Sequence, residues 1–565
     1  MTGRRAIAAA CICAAAFAAC TGSPGPGPGD GDRPPGATRG GTLTFALADD
    51  AGVLDPQLAS QPGAFALIRA TQRGLMAFPS SEDPAEAAVP VPDLAADEPD
   101  VSADGRTVTF TLRRGPSFGP PASRPVEAAD VKAGIERLFV TRSPLATYFR
   151  VIVGAADFEA RRAPSIAGIE TPDARTIRFS LTAPANDLTW MLAHTAASAV
   201  PAGTPAAVGP KDLASSGPYR VERVAAGREI RLVRNDAWAA GSDPVRGAYV
   251  DEIVVRVGSA ATADLTGDEV PVPAGAEGRG VDAGCLLYLF VRPQGPFAER
   301  NARAAISLAI DRRALVEEVA RATGTFSATA TVSLLPPMLA GATERPLPPG
   351  DAAEARRLLA GASPQVAFGR EASGPVAAQD KAAADVISRM LAAAGIRTVP
   401  LAVRSPGSIY EVYGRGAAPM GLARWCPDWP GRGARTMIAA LAGTGAVANY
   451  SGTSDATLDA LVTAAVAETD PGRIAAQTAA AADRMLALVT IVPLAFLSDR
   501  VAVSPRVRGF VPHPFFVRGD PTNVWLEELA PSPAPSPTAP VPAGGASSIA
   551  VRYTSRVPTT NGGVS

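Results

Sequence analysis

The chain reads as an α/β protein with more than one lobe, and three observations predict this. The stretch from Gly40 to Ala530 is longer than the roughly 250 to 300 residues at which a single core stops growing. Its first half carries short period-two runs separated by polar turns, the pattern of strands with one buried face. Its second half alternates a continuous apolar run with segments of helical spacing, as expected of strands covered by helices. Composition narrows the class further: the chain is 47% hydrophobic, and Lys+Arg 53 against Asp+Glu 54 gives a formal net charge of −1. That balance leaves no electrostatic footprint for nucleic acid.

In chain order, the N-terminus has the form of a secretory signal at residues 1–19: Arg4 and Arg5, an apolar run from Ala6 to Ala19, then Cys20 after Phe17-Ala18-Ala19. The run is shorter than the ~20 residues that span a bilayer. Cysteine directly after two alanines resembles a bacterial lipobox, which would make Cys20 the lipidated first residue of the mature protein. Residues 20–39 are rich in Pro and Gly, without apolar period, and read as a solvated tether with a root-mean-square span of roughly 25 Å. Residues 531–565 begin with a Pro/Ala/Ser-rich run of the same low-complexity kind and read as a disordered tail.

Within the body, Gly41 to Ala48 alternates as a strand and Leu54-Asp55-Pro56 ends it. Val101 to Leu112 turns at Ala103-Asp104-Gly105-Arg106, and Ile169 to Leu181 turns at Pro172-Asp173-Ala174-Arg175; both read as hairpins. Ala129 to Val140 lies between them with helical spacing. Ser216-Gly217-Pro218-Tyr219 precedes a strand at Glu229 to Arg234. Cys285 to Val291 (CLLYLFV) is a continuous apolar run, the mark of a strand buried on both faces. One long amphipathic helix is expected from Asn301 to Ala322, with further helices at Asp351 to Ala360 and Ala377 to Ala394 and a strand at Ile396 to Val403. Near 471, Asp470 is placed to cap a helix and Pro471 to occupy its first turn.

Taken in order, GTLTFALADDAGVLDPQ, SADGRTVTFTLRRGPSF, VEAADVKAGIERL, SGPYRVE with LVRND, CLLYLFVRPQGPFAERNARAAISLAIDR and RWCPDW resemble solute-binding protein family 5, the extracytoplasmic binding proteins of peptide-type ABC importers. The resemblance implies a bilobal periplasmic-binding-protein type II-like fold with an additional subdomain (cluster C type). Lobe I would comprise residues 40–72, 213–284 and 504–530, the extra subdomain 73–212, and lobe II 285–503. It also implies a peptide-like ligand held between the lobes, ABC permease subunits as membrane partners with separate ATPase subunits, a monomer, no cofactor, and no enzymatic step. With Cys20 lipidated, the protein would sit on the outer face of the bacterial cytoplasmic membrane.

Cys285 and Trp425-Cys426-Pro427-Asp428 look most like the oligopeptide-binding branch. The resemblance implies a Cys285–Cys426 disulfide and makes Asp428 the acceptor of a ligand's α-ammonium group, with Trp425 and Trp429 as walls or as ordinary packing. Export to an oxidising compartment permits such a bond. A buried ammonium group needs a fixed carboxylate. Ser60-Gln61-Pro62 matches, more loosely, the stretch whose backbone pairs with an extended peptide. The chain departs from the family pattern at SFGPPASRPVE after the first hairpin and at Pro430-Gly431-Arg432-Gly433 after the aspartate. The second departure leaves a non-peptide solute, or a sensory role, as alternatives.

Gly115-Pro116-Ser117-Phe118-Gly119 fits the G-x-S-x-G pattern of a hydrolase with Ser117 as nucleophile. Pro120-Pro121 blocks the helix that should follow, and only His194 and His513 are present as bases. No clustered His/Cys spacing suggests a metal site. The lipid anchor is directly testable: Cys20→Ser is expected to release the protein from the membrane fraction, and unchanged partition of the variant on cell fractionation rejects the anchor.

Overall fold

The computed structural model describes residues 34–47, 54–59, 62–258, 263–266, 278–374, 376–403, 409–513, 516 and 519–527; the signal, Cys20, most of the tether and the tail lie outside them. Three sheets carry the architecture. The first has the strand order Leu265–Thr266, Thr42–Leu47, Glu252–Val257, Glu229–Arg234, Tyr219–Ala225. Thr42–Leu47 is parallel to both of its neighbours and the remaining pairs are antiparallel. Alternation decides its faces: Leu43, Phe45, Leu47, Ile230, Leu232, Ile253 and Val255 point inward to the helix Pro62–Thr71.

The second sheet is antiparallel, in the order Asp100–Val101, Thr107–Thr111, Thr176–Ser180, Ile169–Glu170. It consists of the two expected hairpins laid side by side. In the first turn, the Asp104 carboxylate accepts from Ser102 Oγ and from the Arg106 N–H. The helix Ala128–Val140 covers this sheet, with Val131, Ile135 and Leu138 fully buried. Arg137 on that helix reaches back to Asp55, 2.5 Å away and 1% exposed, which explains the buried carboxylate in Leu54-Asp55-Pro56.

The third sheet runs Ala328–Ala330, Ile491–Ala502, Gly278–Val291, Met420–Trp425, Gln365–Glu371, Arg397–Val403. Leu286 to Val291 are all at most 1% exposed, and the two faces feed different cores. Leu287, Leu289 and Val291 pack with Ile306, Leu315 and Ile387, whereas Leu286, Tyr288 and Phe290 pack with Tyr413, Met437 and Met485. The continuous apolar run is therefore a requirement of a strand between two layers. The long helix expected from Asn301 to Ala322 is instead two helices, Arg300–Ala309 and Arg312–Thr323. Ile310 is extended, and Asp311 starts the second helix by accepting from the Ala314 N–H at 3.0 Å; a cap of this strength outweighs an unbroken apolar stripe. The other helix expectations hold within two residues, and Asp470 caps Pro471–Leu488 through the Arg473 N–H.

The molecule is thus a bilobal α/β fold with an additional subdomain, built on the first, third and second sheets respectively. Where the first lobe meets the subdomain, Arg73 bonds Asp93 at 2.7 Å, and Arg246 bonds Asp93 at 2.9 Å and Asp243 at 3.2 Å. Arg73 and Asp93 are both 0% exposed. Burial pushes the Asp243 carboxyl up, but Arg246 and Arg73 overcome it and hold the group below the ordinary carboxylate range. Asp93→Asn leaves two buried guanidinium groups undercompensated, so a loss of about 3–5 kcal/mol is expected; a urea midpoint equal to that of the wild type refutes this role.

Candidate functional site: the loop after Met420–Trp425

Met420–Trp425 and Arg397–Val403 both run parallel to Gln365–Glu371, so three carboxyl ends lie side by side. In open α/β sheets this is the edge that carries ligands. Trp425 ends its strand with Nε1 donating to the Thr436 carbonyl at 2.7 Å. Cys426 follows, exposed, with its Sγ 2.03 Å from that of Cys285. The chain then buries Pro427, presents Asp428 partly buried and buries Trp429.

Beyond the loop, Ala434–Ala439 forms a π-helix, a wide turn often found at functional positions. It brings adjacent residues to different partners. Thr436 Oγ1 accepts from the Asp428 N–H and donates to Asp428 Oδ2 at 3.3 Å. Arg435 makes a bidentate pair with Asp187, Nε to Oδ2 at 2.7 Å and Nη2 to Oδ1 at 3.1 Å. Asp187 belongs to the subdomain, as does Tyr148, whose hydroxyl also donates to Asp428 Oδ2.

Burial lifts the Asp428 carboxyl to about 6, against the opposing pull of the hydrogen bonds from Tyr148 and Thr436. Burial also raises the Tyr148 phenol well above its ordinary value, with the Asp428 charge adding to the effect. Near pH 7 the pair is therefore a carboxylate and a neutral hydroxyl. Both side-chain hydrogen bonds that Asp428 accepts from described residues fall on Oδ2. Chemically, the other oxygen can take one more donor or a cation.

Of the residues singled out in the sequence, Trp425, Cys426, Asp428 and Trp429 share this loop. Trp429 is 1% exposed and packs edge-on against Tyr148, ring centroids 4.7 Å apart, within the subdomain's apolar cluster. Its place is therefore packing between the two bodies. Ser60 and Gln61 lie outside the described residues, and Pro62 opens the helix Pro62–Thr71. Tyr148, Asp187, Arg435 and Thr436 escaped the sequence reading. Tyr148 is 280 residues from Asp428, and nothing in the local sequence marks it.

Ser117 is half-buried in a segment bridged to Pro125, with Oγ bonded to the Gly115 carbonyl at 3.4 Å. His194 and His513 are buried, and burial lowers each to about 3, so both are neutral at pH 7. Among the described residues, no group of His, Cys, Asp and Glu is arranged to hold a metal ion, and no helix is long and apolar enough to cross a membrane.

The family model for bacterial extracellular solute-binding proteins, family 5, matches residues 89–444. No curated protein sequence matches the chain significantly. Among solved structures, the chain is similar to a clavulanic acid biosynthesis oligopeptide binding protein 2, at 26% identity and TM-score 0.77, covering 87% of this chain and 96% of that one. It shares its fold with Haemophilus influenzae OppA in complex with the peptide RPPGFSPFR, at 17% identity and TM-score 0.69, covering 87% and 99%. It shares it equally with AgaA from A.tumefacien in complex with agropinic acid, at 21% identity and TM-score 0.68, covering 87% and 99%.

Proposed function

Because the chain belongs to the bacterial extracellular solute-binding proteins, family 5, we propose that it captures peptides in the cleft between its lobes and delivers them to a membrane ABC permease. Separate ATPase subunits supply the energy, and no covalent bond is made or broken. Cys20 carries the lipid that keeps the protein, as a monomer, on the outer face of the cytoplasmic membrane. Cys285 and Cys426 are joined as a disulfide, which ties the start of the buried strand to the ligand loop.

The observation that carries this reading is the Asp428 carboxylate. It sits at the carboxyl edge of a parallel strand set, partly desolvated, with the hydrogen bonds from Tyr148 and Thr436 both on Oδ2. A peptide's α-ammonium group brought into such a place needs a fixed anion. The oligopeptide-binding relative and the peptide-bound OppA support the ligand class. The agropinic acid complex of AgaA and the Pro430-Gly431-Arg432-Gly433 departure support a second reading, the same cleft taking a non-peptide solute.

Asp428→Asn keeps the shape and removes the charge. A loss of about 2–5 kcal/mol in peptide binding is expected, roughly 30-fold to several thousand-fold, with little change in melting temperature. N-acetylated peptides are expected to bind weakly and to discriminate less between the two proteins. The wild-type affinity also has a pH window. Binding needs Asp428 ionised and the peptide amine protonated, so it falls below pH about 6 and again above the amine's pKa of ~7.7–8.0. Calorimetric titrations decide: equal affinities of wild type and variant for a free-amine peptide remove Asp428 from the site. For the disulfide, free-thiol labelling of the denatured, unreduced protein is expected to leave Cys285 and Cys426 unmodified, and stoichiometric labelling of both refutes it.

A further inference from the structure

The strip from Trp429 to Arg435 is tied to its own lobe at Gly431, whose N–H donates to the Met338 carbonyl and whose carbonyl accepts from the Ala340 N–H, and from there it reaches the subdomain. Trp429 is inserted, 1% exposed, into the subdomain's apolar cluster against Tyr148. Gly431 has φ +81°, and a Cβ there would stand 2.9 Å from the Ala88 carbonyl and 3.0 Å from Trp190 Nε1, so only glycine allows the approach. The Arg432 guanidinium lies 4.6 Å from the centre of the Trp190 ring. Arg435 holds Asp187, which is 1% exposed. Beside the strip, Asn186 Nδ2 donates at 2.7 Å to the carbonyls of Ala465 and Glu468 in the six-stranded lobe. Tyr148 closes the set with its hydrogen bond to Asp428.

A carboxylate that awaits a cation is ordinarily left to water until the cation arrives. Here Asp428 already has a donor from the opposing body, and the flanking contacts, Arg435 with Asp187 and Trp429 with Tyr148, join the two bodies without using the Asp428 carboxylate. We propose that the 429–435 strip is a ligand-independent clasp that holds the six-stranded lobe against the subdomain in the empty protein, with the Tyr148 hydroxyl occupying the place at Asp428 that a ligand's cationic group must win. The competition rests on the reading of Asp428 as the ligand's anion; the clasp itself does not. The strip contains Pro430-Gly431-Arg432-Gly433, the segment in which this chain departs from its family's pattern, so the departure acquires a use as a docking surface for Ala88 and Trp190.

Two consequences follow from population arithmetic. The empty protein is compact, and a ligand that binds only the unclasped form sees an affinity reduced by the fraction unclasped. Its association rate also reaches a plateau at high ligand concentration, set by clasp opening.

The test combines small-angle X-ray scattering of the ligand-free protein with stopped-flow tryptophan fluorescence during mixing with a free-amine peptide. It compares wild type with Tyr148→Phe, which keeps the ring on Trp429 and removes the donor, and with Asp187→Asn, which keeps the shape and weakens the ion pair. The expected result is a compact empty wild type and an unclasped fraction raised roughly ten-fold or more in either variant, with the association plateau raised in proportion. An empty wild type as expanded as the variants overturns the clasp, as do variants that stay as compact as wild type with an unchanged plateau. The two readings separate cleanly. A compact wild type, expanded variants and no peptide binding by any of them uphold the clasp and remove the peptide ligand. Tight peptide binding by an expanded wild type upholds the ligand and removes the clasp.

Discussion

Arg73, Asp93 and Arg246 meet almost without access to solvent at the junction of the first lobe and the subdomain. Burying such groups singly costs several kcal/mol each, so they persist only where acceptors are fixed in position. The acceptors come from separate stretches of chain: Asp93 from the subdomain, Asp243 and the Ser242 carbonyl from the segment that returns to the first lobe. Nearby, Asp520 from near the end of the described chain meets Arg69 at 2.8 Å. The network therefore sets where the subdomain stands on the first sheet. Everything the subdomain contributes to the candidate site, Tyr148 and Asp187 above all, takes its position from that joint.

The sequence disclosed the secondary structure wherever one physical signal dominated. The hairpins at 100–111 and 169–180 were legible because a period-two apolar pattern and a polar turn agree. The strand through Cys285 was legible because burial on both faces leaves no room for a polar residue from Leu286 to Val291. The helix pair Arg300–Ala309 and Arg312–Thr323 was misread because two signals conflict there: the apolar stripe continues while Asp311 offers a cap. Of the candidate site, Cys426 and Asp428 were legible through the Trp-Cys-x-Asp pattern, which is local, whereas Cys285, 141 residues away, was legible only through the family resemblance. Tyr148 was not, since a hydroxyl that meets a carboxylate 280 residues away leaves no trace in spacing. The π-helix at Ala434–Ala439 was equally silent, because its sequence, ARTMIA, has nothing that distinguishes it from an ordinary helical turn.

On the proposed reading of Asp428 as the ligand's anion, its two donors keep the carboxylate usable in a partly buried place. Thr436, eight residues on, supplies a donor from the same body and orients the group, while Tyr148 supplies one from across the gap. A lysine or arginine in the position of Tyr148 would have formed a permanent ion pair there, much harder for a ligand to displace. A phenol is a weaker partner that carries no charge at neutral pH. The neighbouring pair Arg435–Asp187 is charged and bidentate. Strong and weak attachments thus stand side by side, the strong one away from the carboxylate and the weak one on it.

The strand Ile491–Ala502 pairs with Gly278–Val291 on one side and with Ala328–Ala330 on the other. Immediately after it the chain rejoins the first lobe, where Val503 bridges to Leu265 and Arg506 grips Asp264. A chain released N-terminus first has neither its six-stranded sheet nor its first lobe complete until these last segments appear. Sheets closed by such distant partners assemble slowly, with strand edges open in the meantime. The order of emergence thus keeps the two lobes from closing early: the segments that complete both sheets and join them are the last of the described residues to be made.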